Sequence, residues 1–259
     1  MQDANALVLS VVSHGQRELL LGLMADLRHH VAVPFRLLVT ENIPEDPALP
    51  AAHYPFPIDV IRNVQPKGFG ANHNAALALA GDGIFVVINP DIRLNADPFP
   101  ELIALVADHS VGVAAPVVMD PDSLEEDHAR GFPSVFTLIA KLFGYRPRTT
   151  RLPGQSTYFP DWVAGMFMTF RADTIRSVGG FDERYFLYYE DVDLCARLRE
   201  KGFEIAVCTK VAVIHTARRD SRKNPRFALW HLRSALRFFA SRPDLALGLR
   251  VRKLAGQRS

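Results

Sequence analysis

Between Phe181 and Arg197 the chain reads FDERYFLYYEDVDLCAR, which sets five carboxylates and five Phe or Tyr rings in seventeen positions. Burying a charge beside aromatic rings is unfavourable unless the charge is paired or hydrogen-bonded. Glu190, Asp191 and Asp193, placed directly after Tyr185, Phe186, Tyr188 and Tyr189, therefore point to a cleft rather than to an ordinary core segment. An acid in such a cleft can act as a general base, taking a proton from a hydroxyl as its oxygen attacks.

A second acid stands after a different kind of element. Ile84 to Ile88 is apolar at every position and is followed by Asn89-Pro90-Asp91. Ligands of open α/β sheets sit beyond the carboxyl ends of the strands, so Asp91 falls at a binding edge. A carboxylate there can hold Mg²⁺ or Mn²⁺ by oxygen, with water and a substrate diphosphate filling the other positions. The same three residues also make an ordinary turn. Upstream, Asn63-Val64-Gln65-Pro66-Lys67-Gly68-Phe69-Gly70-Ala71-Asn72-His73-Asn74 joins a strand to a helix. Two glycines, a lysine and several amides suit close backbone approach and hydrogen bonding to a nucleotide or phosphate. This is not a dinucleotide fingerprint, because His73 replaces the third glycine and the segment does not follow the first strand.

The elements that must position these groups follow from hydrophobic period. Strands are predicted at Leu7 to Val12, Phe35 to Thr40, Asp59 to Arg62, Ile84 to Ile88, Met166 to Arg171, Phe203 to Val207 and Val211 to Ile214. Helices are predicted at Arg17 to His30, with Leu19, Leu20, Leu23 and Leu27 apolar, at Ala71 to Ala80, Ala172 to Val178 and Glu190 to Lys201, and at Phe227 to Ala240. Gly202 is placed as a C-terminal cap. Alternation of the two kinds of element implies a three-layer α/β sheet, parallel in its centre. From Asp120 to Pro160 the pattern gives way to Pro, Gly, Arg and scattered aromatics, with a short helical stretch near Phe136 to Phe143; it reads as an insertion or flexible loop.

Composition narrows the class. A chain of 259 residues, 48% hydrophobic, supports one substantial core and excludes wholesale disorder. Cys195 and Cys208 are the two cysteines, so neither a disulfide framework nor a zinc knuckle is supported and a reducing, cytoplasmic setting is expected. The run from Ala6 to Val12 is too short to cross a bilayer and the start lacks the basic region of a signal peptide. Residues 216 to 259 hold twelve of the 30 Lys and Arg but two of the 28 Asp and Glu, so this tail carries about +10 and the body about −8. Such a tail suits an anionic partner, either a membrane surface or a phosphorylated substrate, or forms a solvated basic helix.

In order and spacing, GFGANHN, INPD, WVAGMFM, GGFDERYFLYYEDVDLCARLREKGFEI and VAVIH resemble glycosyltransferase family 2, especially its rhamnosyltransferase-like members, over roughly residues 7 to 221. The resemblance implies a GT-A fold, a single nucleotide-sugar-binding α/β domain that uses Mn²⁺ or Mg²⁺ and inverts the anomeric centre. On it, residues 1 to 221 form the catalytic domain, with 120 to 160 a variable acceptor-side insertion and 222 to 259 a basic amphipathic tail.

Position by position, the resemblance makes Asp91 the acid of the family's DxD metal element, with Asn89 where many members have the first Asp. His215 becomes a further ligand, and imidazole suits Mn²⁺ better than Mg²⁺. Asp191 corresponds to the catalytic base, with Glu190 its rival and Asp193 a helix N-terminal acid favoured by the dipole. Ser13, His14, Glu41, Asn42, Asn63, Lys67 and Gly68 fall on the nucleotide side; Glu41 stands where Asp is usual. Trp162, Gly165 and Asp182 line the sugar and acceptor side, Trp162 offering either a stacking face or a core ring.

The function implied is transfer of a sugar, with L-rhamnose from dTDP-rhamnose the lead and a UDP-sugar the other donor, to a glycan or lipid-linked acceptor in surface polysaccharide synthesis. The tail would rest on the inner face of the plasma membrane, Leu229, Leu232, Leu236 and Phe239 on one side and Arg233 and Arg237 on the other. No nucleic-acid partner is expected. A Rossmann dehydrogenase is disfavoured by Ser13-His14-Gly15, which offers no glycine fingerprint; a non-catalytic nucleotide-sugar-binding or scaffolding protein is the alternative.

Overall fold

The first half of the chain alternates strand and helix as its hydrophobic periods require. In a computed structural model, which describes residues 6–45, 49, 51–142, 154–216 and 225–249, β1 (Leu7–His14) leads through α1 (Arg17–His30) to β2 (Phe35–Ile43). A 3-10 turn at Ala51–His53 precedes β3 (Ile58–Arg62), α2 (Phe69–Ala78) and β4 (Ile84–Ile88). Then come β5 (Ile92–Arg93), α3 (Phe99–Ala107), β6 (Val111–Met119), β7 (Ala129–Arg130), α4 (Val135–Leu142), β8 (Thr157–Tyr158) and β9 (Trp162–Val163). The last elements are β10 (Phe167–Arg171), α5 (Ala172–Ser177), α6 (Glu190–Glu200), β11 (Glu204–His215), α7 (Pro225–Ser241) and α8 (Pro243–Ala246).

The main sheet runs β3-β2-β1-β4-β10-β6-β11-β5, with β8 also on β11. β3, β2, β1 and β4 are mutually parallel, as are β6 and β11, whereas β10 is antiparallel between β4 and β6. Successive strand residues face opposite sides, so β1 sends Leu7, Leu9 and Val11 into one core and Val8 into the other. The first core is closed by Leu20, Leu23, Met24 and Leu27 of α1 and by Phe99, Leu102 and Val106 of α3. The second is closed by Ala76 and Leu77 of α2, Ile175 of α5 and Leu194, Cys195 and Leu198 of α6. Helix, mostly parallel sheet and helix form three layers.

Several expectations change in detail. The two strands predicted near 203 and 211 are one strand, β11, whose register slips between Cys208 and Ala212 opposite Pro116 and Val117 of β6. Proline has no N–H to give a ladder, and a bulge in the partner strand is how a sheet accommodates it. β6 and α3 arise without a sequence expectation; the Gly112, Ala114, Ala115 and Pro116 of β6 hide a central strand behind small residues and a breaker. The segment expected as a flexible insertion is ordered at its start: Asp120 Oδ1 accepts the N–H groups of Asp122 at 3.0 Å and Leu124 at 2.9 Å, and β7 pairs with β9 through Ala129 to Val163 and Arg130 to Trp162. Residues 143–153 of that segment lie outside the described residues.

The basic tail does not stand apart. α7 packs its Ser234, Ala235 and Phe238 face on the domain, with Ser234 Oγ donating to Leu187 O at 2.9 Å and the Phe238 and Tyr189 rings 5.5 Å apart. Its Leu229, Leu232 and Leu236 face outward. Beyond Leu249, and between 217 and 224, the tail lies outside the described residues.

Candidate active site

One edge of the sheet gathers the polar groups. β1 and β2 stay in register as far as Ser13 beside Glu41, slipping by one residue at His14, and Glu41 pairs onward with Arg62 of β3. β4 ends at Ile88 opposite Phe167 of β10, so Asn89 to Asp91 and the residues leading into β10 share that edge, joined by Asn89 N to Met166 O at 2.9 Å. β5 then pairs with the end of β11, His215 opposite Ile92, which brings His215 to Asp91 across 124 residues of sequence.

Asp191 sits in the first turn of α6 and lines a cavity of about 700 Å³. Its Oδ2 accepts the Gly165 N–H at 3.0 Å and its Oδ1 the Val192 N–H at 2.8 Å. Gly165 leaves little room for a larger residue, since a Cβ would lie 3.1 Å from the Phe69 ring. Glu190, also on the cavity, is buried and its Oε2 has no hydrogen-bond partner. Burial, and then the neighbouring Asp191 charge, pushes the Glu190 carboxyl well above its ordinary range. Burial also raises Asp191, but the Gly165 and Val192 N–H groups and the nearby Arg130 oppose it. Of the two, Asp191 is therefore the carboxyl that ionises first, and Glu190 holds its proton more tightly. Tyr188 and Tyr189, just before, both take left-handed backbone (φ 70° and 68°), an uncommon state for bulky side chains that bends the chain sharply into α6.

Asp91 and His215 make the second focus. His215 Nε2 is 3.2 Å from Asp91 Oδ2, and Asp91 Oδ1 is buried without a partner. Burial works against the imidazolium, yet Asp91 and Glu126, whose Oε2 lies 3.0 Å from Nδ1, outweigh it and raise His215 above its ordinary value. Among the described residues no group of three His, Cys, Asp or Glu is arranged to hold a metal ion. One carboxylate and one imidazole nevertheless fit a divalent cation that takes its remaining ligands from water and a diphosphate, and the orphaned Asp91 Oδ1 is an oxygen in want of such a partner.

The amide-rich loop is held by hydrogen bonds among its own side chains and backbone. Asn63 Nδ2 donates to Asn42 Oδ1 at 2.8 Å and to Asn72 Oδ1 at 2.7 Å, while Asn42 accepts the Lys67 N–H at 2.8 Å and donates to Lys67 O at 2.9 Å. The side chains of Asn42 and Asn63 thus fix the loop and leave the exposed Lys67 ammonium at its rim. Glycine is needed for a different approach than to phosphate: a Cβ on Gly68 would sit 2.7 Å from Phe186 O and one on Gly70 2.6 Å from Phe181 Cβ, so α2 is pressed against the acidic segment. Phe69 N accordingly donates to Phe186 O at 2.9 Å.

Other expected residues find partners within the fold. Glu41 is buried and paired with Arg62 at 2.9 Å; Ser13 Oγ donates to Glu45 and accepts from Gln16 N, and the exposed His14 meets Asn42 at 3.1 Å. Asp182 shapes a turn with Arg184, 2.6 Å away, whose guanidinium holds the carboxyl below its ordinary range; it is not among the cavity's lining residues. Trp162 does line the cavity, but its Nε1 donates to Gly131 O at 3.1 Å and Arg130 lies 5.2 Å over its ring, which takes one of the faces expected for a sugar. Asp193, rather than serving the helix dipole alone, bonds Arg197 at 2.7 Å and Arg242 at 3.3 Å and so ties α6 to the segment after α7.

Three residues at the site were not singled out by sequence: Glu126 and Arg130, from the stretch without periodic signal, and His231 of α7, whose ring lies 5.3 Å from those of Tyr188 and Tyr189. The signal for His231 was its helical phase, one turn before Ser234 and Ala235 and two before Phe238.

The family described as Glycosyltransferase like family 2 matches residues 48–232. Rhamnosyltransferase WbbL of Escherichia coli (strain K12) is 31% identical over 256 residues, covering 91% of this chain and 93% of its own. The N-acetylglucosaminyl-diphospho-decaprenol L-rhamnosyltransferase of Mycobacterium tuberculosis (strain ATCC 25618 / H37Rv) is 28% identical over 232 residues, 81% of this chain and 76% of that one. Among solved structures, GalNAc-T7 with UDP, GalNAc and Mn²⁺ superposes with a TM-score of 0.70 at 13% identity, over 98% of this chain and 53% of that chain. The mannosyltransferase PcManGT from Pyrobaculum calidifontis, in complex with GDP-Man and Mn²⁺, gives 0.62 at 14% identity, over 89% and 64%. This chain thus spans between half and two thirds of those structures, and at such identities the likeness shows a shared GT-A fold. Sequence match and fold agree: the protein belongs to glycosyltransferase family 2 and is a glycosyltransferase of the rhamnosyltransferase-like kind.

Proposed function

We propose that the protein moves L-rhamnose from dTDP-rhamnose to a hydroxyl of a lipid-linked glycan, with inversion at the anomeric carbon, during surface polysaccharide synthesis. The observation that carries this reading is the Asp191 carboxyl held by two backbone N–H groups on the cavity, beside the buried Glu190 whose Oε2 has no partner. Asp191 takes the acceptor O–H proton while the oxygen bonds to the anomeric carbon; the bond from that carbon to the diphosphate breaks, and the electron pair leaves with the nucleotide. Positioned base catalysis of this kind contributes ~10²–10⁴ in rate. Asp91 and His215 would hold Mn²⁺ or Mg²⁺, which when bound supplies charge stabilisation to the departing diphosphate. Lys67, exposed at the rim of the amide loop, adds a cation for the same phosphates. Rhamnose and the lipid-linked acceptor are taken from what the two relatives' names say of those proteins.

No helix among the described residues is long and apolar enough to cross a membrane. The exposed Leu229, Leu232 and Leu236 of α7, next to Arg226, Arg233 and Arg237, support contact with an anionic bilayer at the cytoplasmic face, where a lipid-linked acceptor would be presented. Leu232→Glu with Leu236→Glu should abolish flotation with anionic liposomes; unchanged flotation would exclude this face.

The reading is tested by melting the protein with dTDP, UDP and GDP in turn, each with and without Mn²⁺. A nucleotide at about 100 times its dissociation constant adds ~2.7 kcal/mol to the folded state. A shift specific to dTDP, with its Mn²⁺-dependent part lost in Asp91→Ala, is expected. A shift specific to another nucleotide replaces the donor, and no shift with any removes the nucleotide-sugar reading.

A further inference from the structure

We propose that Glu126 is a positioning residue of the cation site, acting through His215; this rests on the reading of Asp91 and His215 as cation ligands. The chain leaves β6 at Met119 and reverses through a turn built on Asp120, whose backbone N–H donates to Leu124 O at 2.8 Å. It then runs back along the end of β6, where Met119 bridges Glu125 and Glu126 N donates to Val118 O at 2.8 Å. β11 is the neighbour of β6, with Ile214 opposite Met119, so the residue after Ile214 is brought to the returning Glu126. The Glu126 carboxylate meets His215 Nδ1 at 3.0 Å.

A carboxylate accepts hydrogen bonds and gives none, so the Nδ1 of His215 carries the proton in this contact. The contact fixes the ring's rotation and turns Nε2 toward Asp91 Oδ2, 3.2 Å away. A carboxylate behind a metal-binding histidine both orients the ring and makes the other nitrogen a better ligand once a cation replaces the proton it shares with Asp91. Asp91 has a backbone anchor of its own, since its carbonyl accepts both the N–H and the hydroxyl of Thr216 at 2.9 Å. His215, by contrast, depends on a side chain to set its ring. The turn at 120–124 is closed by Asp120 and by backbone hydrogen bonds, so the Glu126 carboxylate is not required to hold it.

The test is uptake of Mn²⁺ by the full chain, read from the electron paramagnetic resonance of the free ion, alone and with dTDP or UDP. Glu126→Ala is expected to weaken Mn²⁺ by ~10–100-fold, with Glu126→Gln, whose carbonyl can still accept from Nδ1, closer to the parent. In a His215→Ala background Glu126→Ala should add nothing, because its effect passes through the ring; a merely structural role would add in both backgrounds and lower the melting temperature. If the parent binds Mn²⁺, Asp91→Ala loses it and Glu126→Ala does not, the positioning role is wrong and the cation site stands. Additive losses in the double variant would also overturn the role. If the parent takes up no Mn²⁺ in any arm, the cation site and the positioning role fall together.

Discussion

At the entry to α2, Asn42, Asn63, Asn72 and the Lys67 backbone satisfy one another through hydrogen bonds of 2.7 to 3.3 Å. At the entry to α6, on the same edge of the sheet, Glu190 Oε2 is buried with no partner and two consecutive tyrosines hold left-handed backbone. Both regions are polar and lead into a helix. The first is a closed network, in which each amide is spent on the next and the loop becomes rigid. The second carries unspent polar capacity and backbone strain, as functional sites do. Abundance of polar groups therefore says little about where chemistry happens; whether they are already satisfied says more.

The largest expected effect separates the two regions by function. Asp191→Asn keeps an acceptor for one backbone N–H but cannot take a proton, so kcat should fall ~10²–10⁴-fold with nucleotide binding retained. The parent's rate should also rise with pH through an Asp191 pKa above the ordinary carboxylate value, since the unprotonated form is the base. A variant that transfers sugar at the parental rate would place the base elsewhere and dissolve the contrast.

The converse experiment is Asn63→Ala, which strands the Asn72 oxygen that its amide serves and leaves the Asn42 oxygen with the Lys67 N–H alone. A loss of roughly 1–3 kcal/mol in unfolding free energy is expected, from one deprived buried acceptor. Equilibrium denaturation checks it. A small stability change with a large loss of nucleotide affinity would instead make Asn63 a direct ligand and open the closed network to substrate.

His73 tests the boundary between them. It lies on α2 with Nδ1 2.8 Å from Ser10 Oγ, packed between the Phe69 and Phe181 rings, and burial holds its pKa down to about 3. The sign follows from which state binds the proton. Below about 6.5 the unfolded chain takes up a proton that the folded chain refuses, so stability is full above that pH and is lost as pH falls toward 3. At pH 5 the loss is about 2 kcal/mol relative to pH 8. His73→Gln should flatten the stability profile between pH 8 and 5 by that amount, whatever it does to absolute stability. An unchanged slope would mean that water reaches the ring and that the region around α2 is not closed.

The sequence made these sites legible to different degrees. Arg17–His30 and Ile84–Ile88 were found with their ends because each has a strong period and clear limits. β6 was not, because Pro116 and three small residues carry neither period, and the bulge that accommodates the proline lies in another strand. Asp91 and Asp191 stand out by residue type and order along the chain, and His215 through the family resemblance. Glu126 and Arg130 could not, since strand pairing delivers them and the local sequence around them has no pattern. Gly68 and Gly70 were legible as points of close approach, but not what approaches: the neighbour is Phe181 and Phe186, more than a hundred residues on.

The smallest expected effect bears on the strain itself. Left-handed backbone costs ~1–2 kcal/mol for a residue with a Cβ, and Asn tolerates it better than most. Tyr189 is no place to ask, because its ring is buried against Phe238 and His231 and any replacement loses that packing. Tyr188 is only partly buried, and its ring meets His231 at 5.3 Å. In Tyr188→Asn the relief of the backbone and the loss of the ring contact oppose each other. The unfolding free energy should therefore stay within about 1 kcal/mol of the parent while acceptor kcat/KM falls. A loss as large as that of Asn63→Ala would mean that the tyrosine ring holds the fold together, and the left-handed step into α6 would then be the result of packing demands rather than of a site kept under strain for its chemistry.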